Sequence, residues 1–180
     1  QYISALLMMA PTLPQGLKLN LEGEIVSLPY LKMTLLILSE FGIEYVFENN
    51  SILIKPHPYL SKDYFVESDW SAASYYYSMA AIAEEAEIVL KGLNKNSLQG
   101  DAKMAEIAEQ FGIKKEYGDK IISIHKINNH TNPELFEYVF IEQPDIAQTV
   151  FAMCGALNTK GHFTGLQTLY IKETDRIQAF

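Results

Sequence analysis

A repeated segment constrains the fold of this chain more than any other feature. Glu-Phe-Gly-Ile at residues 40–43 leads into an apolar run at 51–55, and 70 residues later Gln-Phe-Gly-Ile at 110–113 leads into a similar run at 121–125. Each copy is typical of a helix that ends at Phe-Gly, followed by two short strands joined by a polar turn. The glycines stand where a left-handed residue closes the last helical turn. The sequence therefore predicts the same supersecondary unit twice.

The complete repeating unit is predicted to run strand, helix, strand, helix, strand, strand. Its best copy is residues 63–127, with a first strand at 64–66 and a first helix at 71–86. Partial copies occupy the two ends of the chain, at 1–56 and 135–180. The strands that follow the first helices are predicted at 17–23, 87–92 and 161–166. Right-handed crossovers between parallel strands, with hairpin tails, make this an α/β chain with helices packed on the sheets.

Composition narrows the classes of function. The chain has 180 residues, 48% of them hydrophobic, and a net charge of −8. This charge argues against general binding to nucleic acids or anionic membranes, which needs clustered cations. The single cysteine, Cys154, cannot form an intramolecular disulfide, suits a reducing cytoplasmic compartment, and lies in an apolar stretch where we expect a small core residue. The histidines lack metal-ligand spacing, so we predict no metal. The sequence has no glycine-rich nucleotide loop of the Walker or dinucleotide type, and we predict no cofactor.

Charged side chains cluster close to the carboxyl end. Lys172-Glu173-Thr174-Asp175-Arg176 follows an apolar, alternating stretch at 161–171 and precedes residues 177–180, which are typical of a helix start. A strand that opens into a helix places its junction side chains at the rim of a sheet, beside amides that attract anions. Two cations and two carboxylates there suit an anionic substrate that also needs proton transfer. A solvated charged turn is the alternative.

Several further segments, taken in order, carry a resemblance to a known family. They are Gln-Tyr-Ile-Ser-Ala-Leu-Leu at 1–7, Val-Ser-Leu-Pro-Tyr at 26–30, Val-Glu-Ser-Asp-Trp-Ser-Ala-Ala-Ser-Tyr at 66–75, Gly-Asp at 100–101, Gln-Pro-Asp-Ile-Ala-Gln-Thr at 143–149 and Lys-Gly-His-Phe-Thr-Gly-Leu at 160–166. Together with the charged cluster, they resemble the 5-enolpyruvylshikimate-3-phosphate synthase (3-phosphoshikimate 1-carboxyvinyltransferase) family in residue type, order and spacing.

The resemblance implies a fold of repeated βαβαββ units, the inside-out α/β barrel of the enolpyruvyl transferases, with three units in each of two domains. The chain would be a truncated, central fragment of such a protein. Residues 1–65 would be part of the first domain and residues 66–180 part of the second, with a hinge near 65–69. Half of the phosphoenolpyruvate site would be absent, so we expect the fragment alone to be inactive. The parent enzyme is expected to be a monomer, whereas the exposed sheet edges of the fragment favour self-association.

The resemblance also implies an activity and a set of site residues. The activity is transfer of the enolpyruvyl group from phosphoenolpyruvate to the 5-hydroxyl of shikimate 3-phosphate, in the biosynthesis of chorismate and the aromatic amino acids. The matched catalytic residues are Asp145, which would bind the shikimate hydroxyls and move a proton, Lys172 at the reacting hydroxyl, and Glu173 in proton exchange with the enolpyruvyl methyl group. The matched substrate-binding residues are Gln1, Ser27, Tyr30, Thr168, Lys172 and Arg176. Thr168 departs from the family, which often has Asn there.

Each assignment has an alternative. Asp145 could simply cap the following helix, Tyr30 could be an aromatic at the core edge, and Gln1 could be a frayed terminus. Asp175 is expected to be structural, as an acid in the first turn of a helix. At the level of function, the alternatives are the sister transferase that acts on UDP-N-acetylglucosamine and a non-catalytic α/β repeat module that binds ligands.

Overall fold

The structure is a computed structural model of the chain, and it describes residues 2–171 and 174–178. By its internal contacts, the chain divides into two compact units, Gln1–Phe65 and Val66–Phe180. The prediction that these units are parts of two larger globular domains stays a prediction.

The first unit packs two helices on a small antiparallel sheet. Its elements are α1 (Tyr2–Met9), β1 (Leu17–Asn20), α2 (Leu28–Glu40), β2 (Tyr45–Glu48) and β3 (Ser51–Ile54), and the strand order is β1-β3-β2. Leu31, Leu35 and Leu38 recur at helical spacing and form the buried face of α2. Ile52 and Ile54 are fully buried and alternate with the exposed Leu53, so one face of β3 lies against this helix face.

The second unit is larger and contains two separate sheets. Its helices are α3 (Trp70–Ile82), α4 (Met104–Glu109) and α5 (Ala147–Ala156); its strands are β4 (Glu87–Lys91), β5 (Ile113–Tyr117), β6 (Ile121–Lys126), β7 (Leu135–Val139) and β8 (Lys160–Thr164). Short 3-10 helices precede α4 and α5 and follow β8, at Gly100–Lys103, Pro144–Ile146 and Gln167–Ile171. One sheet is antiparallel with the order β4-β6-β5, and the other is the parallel pair β7-β8. A single apolar core joins the helices to both sheets.

The predicted repeat is confirmed. In both copies, the last strand of the hairpin lies at the centre of a three-stranded sheet, paired on each side with an antiparallel neighbour. Gly42 and Gly112 have φ angles of 83° and 78°, and each follows the end of a helix as predicted. The α/β repeat class is likewise confirmed; the described strands form open sheets, and none of these sheets closes into a barrel.

Three local predictions were wrong. Residues 64–66 form no strand, and Val66 is 80% exposed. A backbone hydrogen bond forms two residues later, where the Ser68 amide donates to the carbonyl of Gly92, just after β4, at 2.8 Å. The apolar stretch after Thr164 forms a 3-10 helix at Gln167–Ile171 instead of extending β8. The third difference is that α3 ends at Ile82 rather than at residue 86.

One further expectation from the sequence, the core position of the cysteine, can be compared with the structure. Cys154 is buried on α5 in the core of the second unit, and burial raises the pKa of its thiol to about 11, so the prediction of a core cysteine is confirmed. Within the described ranges, none of the helices has the length and apolar character needed to cross a membrane.

Candidate active site

Asp145 and Arg176 lie together in the second unit, although they are far apart in the sequence. Arg176 Nη1 is 3.8 Å from Asp145 Oδ1, and the two side chains are 21% and 31% exposed. This half-buried position leaves both groups within reach of a ligand while limiting the access of water. A guanidinium beside a carboxylate offers one group for an anionic substrate and one for proton transfer.

The backbone around Asp145 is held firmly from both sides. Asp145 lies in the 3-10 helix Pro144–Ile146, whose first and last residues are buried, and this helix leads directly into α5. The preceding residue, Gln143, is also buried, and its Oε1 accepts a hydrogen bond of 3.2 Å from the Tyr138 hydroxyl. Burial raises the pKa of Tyr138 to about 12, so its hydroxyl keeps its proton and remains a donor at neutral pH.

Arg176 is placed by a turn that folds back on the 3-10 helix Gln167–Ile171. Its amide donates to the Leu169 carbonyl at 3.2 Å, and the neighbouring Ile177 packs against the core. Asp175 Oδ1 accepts hydrogen bonds of 3.1 Å from the amides of Ile177 and Gln178. The Asp175 carboxylate therefore binds the backbone, in agreement with its expected structural role, although residues 176–178 form a turn rather than the predicted start of a helix.

Thr168 lies in the same 3-10 helix. Its Oγ1 is buried and has no hydrogen-bond partner among the described residues. A buried hydroxyl without a partner is unfavourable, because it has given up its hydrogen bonds to water. This is consistent with the substrate-binding role predicted for Thr168, in which a ligand would supply the missing partner.

The predicted site residues of the first unit lie at the start of α2. Ser27 precedes the helix with φ 59° and ψ 37°, and its carbonyl accepts from the Tyr30 amide at 3.1 Å. A left-handed serine is strained by about 1 kcal/mol or more, and such strain is common at ligand sites. Both Ser27 and Tyr30 are half-buried. Their binding roles, like the other site assignments, remain predictions.

Three of the predicted residues, Gln1, Lys172 and Glu173, lie outside the described residues. The structure thus brings Asp145, Thr168 and Arg176 into one unit but does not test whether the Lys-Glu pair joins them. The sequence reasoning also missed Gln143 and Tyr138, which hold the backbone next to Asp145. Within the described part of the chain, no group of three or more His, Cys, Asp or Glu side chains could hold a metal ion.

Comparison with known proteins decides the family. The sequence model described as EPSP synthase (3-phosphoshikimate 1-carboxyvinyltransferase) matches residues 1–180. The chain belongs to the EPSP synthase family. A solved EPSP synthase from Acinetobacter baumannii superposes with a TM-score of 0.57 at 19% identity, over 83% of this chain and 34% of that one. This likeness supports the shared fold.

Curated members of the EPSP synthase family are considerably longer than this chain. The 3-phosphoshikimate 1-carboxyvinyltransferase of Bacteroides fragilis strain YCH46 is 48% identical over 180 residues, which cover 99% of this chain and 43% of that protein. The enzyme of the same name from Methanosphaera stadtmanae is 32% identical over 183 residues, covering 98% of this chain and 42% of that protein. The chain therefore spans less than half the length of these relatives.

Proposed function

We propose that the protein containing this chain transfers the enolpyruvyl group of phosphoenolpyruvate to the 5-hydroxyl of shikimate 3-phosphate and releases phosphate. Membership of the EPSP synthase family supports the reaction class. The observation that carries the proposal to particular residues is the approach of Arg176 to Asp145, at 3.8 Å in a half-buried position.

The chemistry assigns a task to each group. Protonation of the methylene carbon of phosphoenolpyruvate makes the neighbouring carbon electrophilic, and the 5-hydroxyl attacks that carbon while losing its proton. The resulting tetrahedral intermediate then expels phosphate as a proton leaves the new methyl group, which restores the double bond. One site therefore has to carry out three proton transfers and bind several anionic oxygens.

Asp145 and Arg176 suit two of these tasks. The Asp145 carboxylate can accept hydrogen bonds from the shikimate hydroxyls and take up the proton of the attacking one. The Arg176 guanidinium can bind the carboxylate or phosphate of phosphoenolpyruvate in bidentate fashion. We assign the exchange of the methyl proton to Glu173 and contact with the reacting hydroxyl and phosphate to Lys172. Gln1, Ser27, Tyr30 and Thr168 complete the binding of shikimate 3-phosphate in this proposal.

The test uses the complete gene product that contains these residues. Asp145→Asn keeps the size of the side chain but removes its ability to take up a proton, so kcat for phosphate release is expected to fall by at least about 100-fold. Glu142→Gln is the matched control, because Glu142 is an exposed carboxylate three residues away that should leave turnover unchanged. Near-normal turnover in Asp145→Asn would reject the assigned role.

The same assay tests the acceptor and the partners. Turnover with UDP-N-acetylglucosamine in place of shikimate 3-phosphate would reject the proposed substrate in favour of the sister transferase. Binding of shikimate 3-phosphate without any turnover would favour a non-catalytic module. We further propose that the enzyme acts in the cytoplasm as a monomer, which sedimentation of the complete gene product would test.

A further inference from the structure

Four hydrogen-bonded polar residues, three of them buried, link two helices and a 3-10 helix of the second unit. Asp101 is 0% exposed, Ser74 is 1% exposed and Thr149 is 6% exposed. The Ser71 hydroxyl donates to the Asp101 carboxylate, the Ser74 hydroxyl donates to the Ser71 carbonyl at 2.6 Å, and Ser74 Oγ lies 3.1 Å from Thr149 Oγ1. These four residues, which we call the polar chain, connect the 3-10 helix before α4 to α3 and then to α5.

The number of hydroxyl hydrogens decides which residue donates the hydrogen bond between Ser74 and Thr149. A serine hydroxyl has one hydrogen to donate, and Ser74 uses its hydrogen on the Ser71 carbonyl. Thr149 must therefore be the donor in its bond with Ser74. Such a bond fixes the rotation of α5 about its own axis, whereas the surrounding apolar contacts have no preferred direction.

The repeat shows that the fold does not require the buried carboxyl group of this polar chain. The position that corresponds to Asp101 in the first copy, 70 residues earlier, is Leu31, which is 6% exposed in the core of the first unit. An ordinary apolar residue therefore serves the same architecture there. Buried charges also stabilise folds no better than well-packed apolar groups do. A need for precise placement accounts for the polar chain better than a need for stability.

We propose that the polar chain positions Asp145, with Thr149 as the positioning residue, an inference that rests on the proposed function. Thr149 is in the first turn of α5, four residues after Asp145 and on the continuous backbone that runs from the 3-10 helix into α5. Its bond to Ser74 sets the orientation of this helix start and thereby the direction of the Asp145 carboxylate. A shift of about 1 Å at a catalytic group can slow a reaction by up to about 100-fold.

The test compares substitutions on α5 in the complete gene product. Thr149→Val removes the hydroxyl at nearly constant volume, so kcat is expected to fall about tenfold while KM changes less than about twofold. Thr149→Ser keeps the hydroxyl and should restore most of kcat. Cys154→Ala is the matched control: it also removes buried atoms from α5 and lowers Tm, but it lies outside the polar chain and should leave kcat unchanged. Ser74→Ala removes the same hydrogen bond from the α3 side and should reproduce the loss of kcat. If Thr149→Val does not fold, the kcat of Ser74→Ala tests the positioning role.

The outcomes separate this inference from the proposed function. If Asp145→Asn loses turnover while Thr149→Val and Ser74→Ala keep it, the positioning role is wrong and the proposed function stands. A kcat loss in Cys154→Ala that matches the loss in Thr149→Val, or no rescue by Thr149→Ser, would also overturn the positioning role. Normal turnover in Asp145→Asn would instead reject the catalytic role of Asp145 on which this inference rests, and no turnover of shikimate 3-phosphate by the unaltered protein would reject the proposed function.

Discussion

The two copies of the repeat share a backbone plan but differ in what they bury. Both have a left-handed glycine after the helix, at Gly42 and Gly112, and both place the last strand of a hairpin at the sheet centre. The first copy buries a leucine at position 31, whereas the second buries a carboxylate at position 101. The comparison teaches that the topology depends on the apolar pattern and the turns, while the buried polar groups belong to the unit that carries Asp145.

The largest expected difference between the copies lies in their matched phenylalanines. Phe111 is 0% exposed, so Phe111→Ala should destabilise the second unit by about 3–5 kcal/mol. Phe41, its counterpart 70 residues earlier, is half-buried and tilts against Tyr64 with 5.6 Å between ring centroids, so Phe41→Ala should destabilise the first unit by less. Native-state hydrogen exchange, followed separately for β3 and β6, measures both losses. Equal losses of stability in the two variants would contradict this prediction and show that the two phenylalanines contribute equally to their cores.

A matched pair of serines tests the buried polar groups. Ser74→Ala leaves the Thr149 hydroxyl without its acceptor in the core, which should destabilise the second unit by about 1–3 kcal/mol. Ser4 is its counterpart in the first unit. It is half-buried and its Oγ lies 3.0 Å from Thr34 Oγ1, so Ser4→Ala should have an effect of about 1 kcal/mol or less. Native-state hydrogen exchange measures both losses of stability, and a larger loss in Ser4→Ala than in Ser74→Ala would contradict this account.

Alkaline pH should destabilise the second unit, because its buried cysteine thiol and tyrosine hydroxyl have raised pKa values. The pKa values of Cys154 and Tyr138 are raised to about 11 and about 12, from 9.0 and 10.0. The folded state therefore binds more protons than the unfolded state above pH 9, so this stability is present below pH 9 and is lost as pH rises. At pH 10, Cys154 alone should reduce the free energy of unfolding by roughly 1 kcal/mol. Cys154→Ala should flatten this pH dependence, and an unchanged slope would mean that the thiol titrates normally.

The turns of the two hairpins should give the smallest difference in stability between the copies. Lys120 and Asn50 both have positive φ angles, 54° and 57°. A positive φ strains the backbone of lysine, whereas asparagine tolerates it much better. Lys120→Gly should therefore stabilise the second hairpin by up to about 1 kcal/mol, and Asn50→Gly should change the stability of the first hairpin by less. Thermal unfolding of the two variants measures the shifts. A loss of stability in Lys120→Gly would show that the side chain contributes more than its strained backbone costs.

Local patterns made part of this structure predictable. The Phe-Gly repeat predicted the helix ends, and the apolar runs that follow it predicted both hairpins. The strand expected at 64–66 was wrong, because a short apolar run cannot show whether a partner strand is within reach. For the site, the sequence and the family resemblance pointed to Asp145 and Arg176. The link from Thr149 to Ser74 could not be predicted, because it depends on how two helices pack.

A crystal structure of the complete gene product with bound shikimate 3-phosphate tests the central claim most directly. The claim is that Asp145 meets the reacting hydroxyl. The account predicts a distance of about 2.6–3.2 Å from an Asp145 carboxylate oxygen to the 5-hydroxyl oxygen, with Arg176 turned toward the phosphoenolpyruvate position. A shikimate 3-phosphate bound away from Asp145, with the Asp145–Arg176 pair still closed on itself, would contradict it.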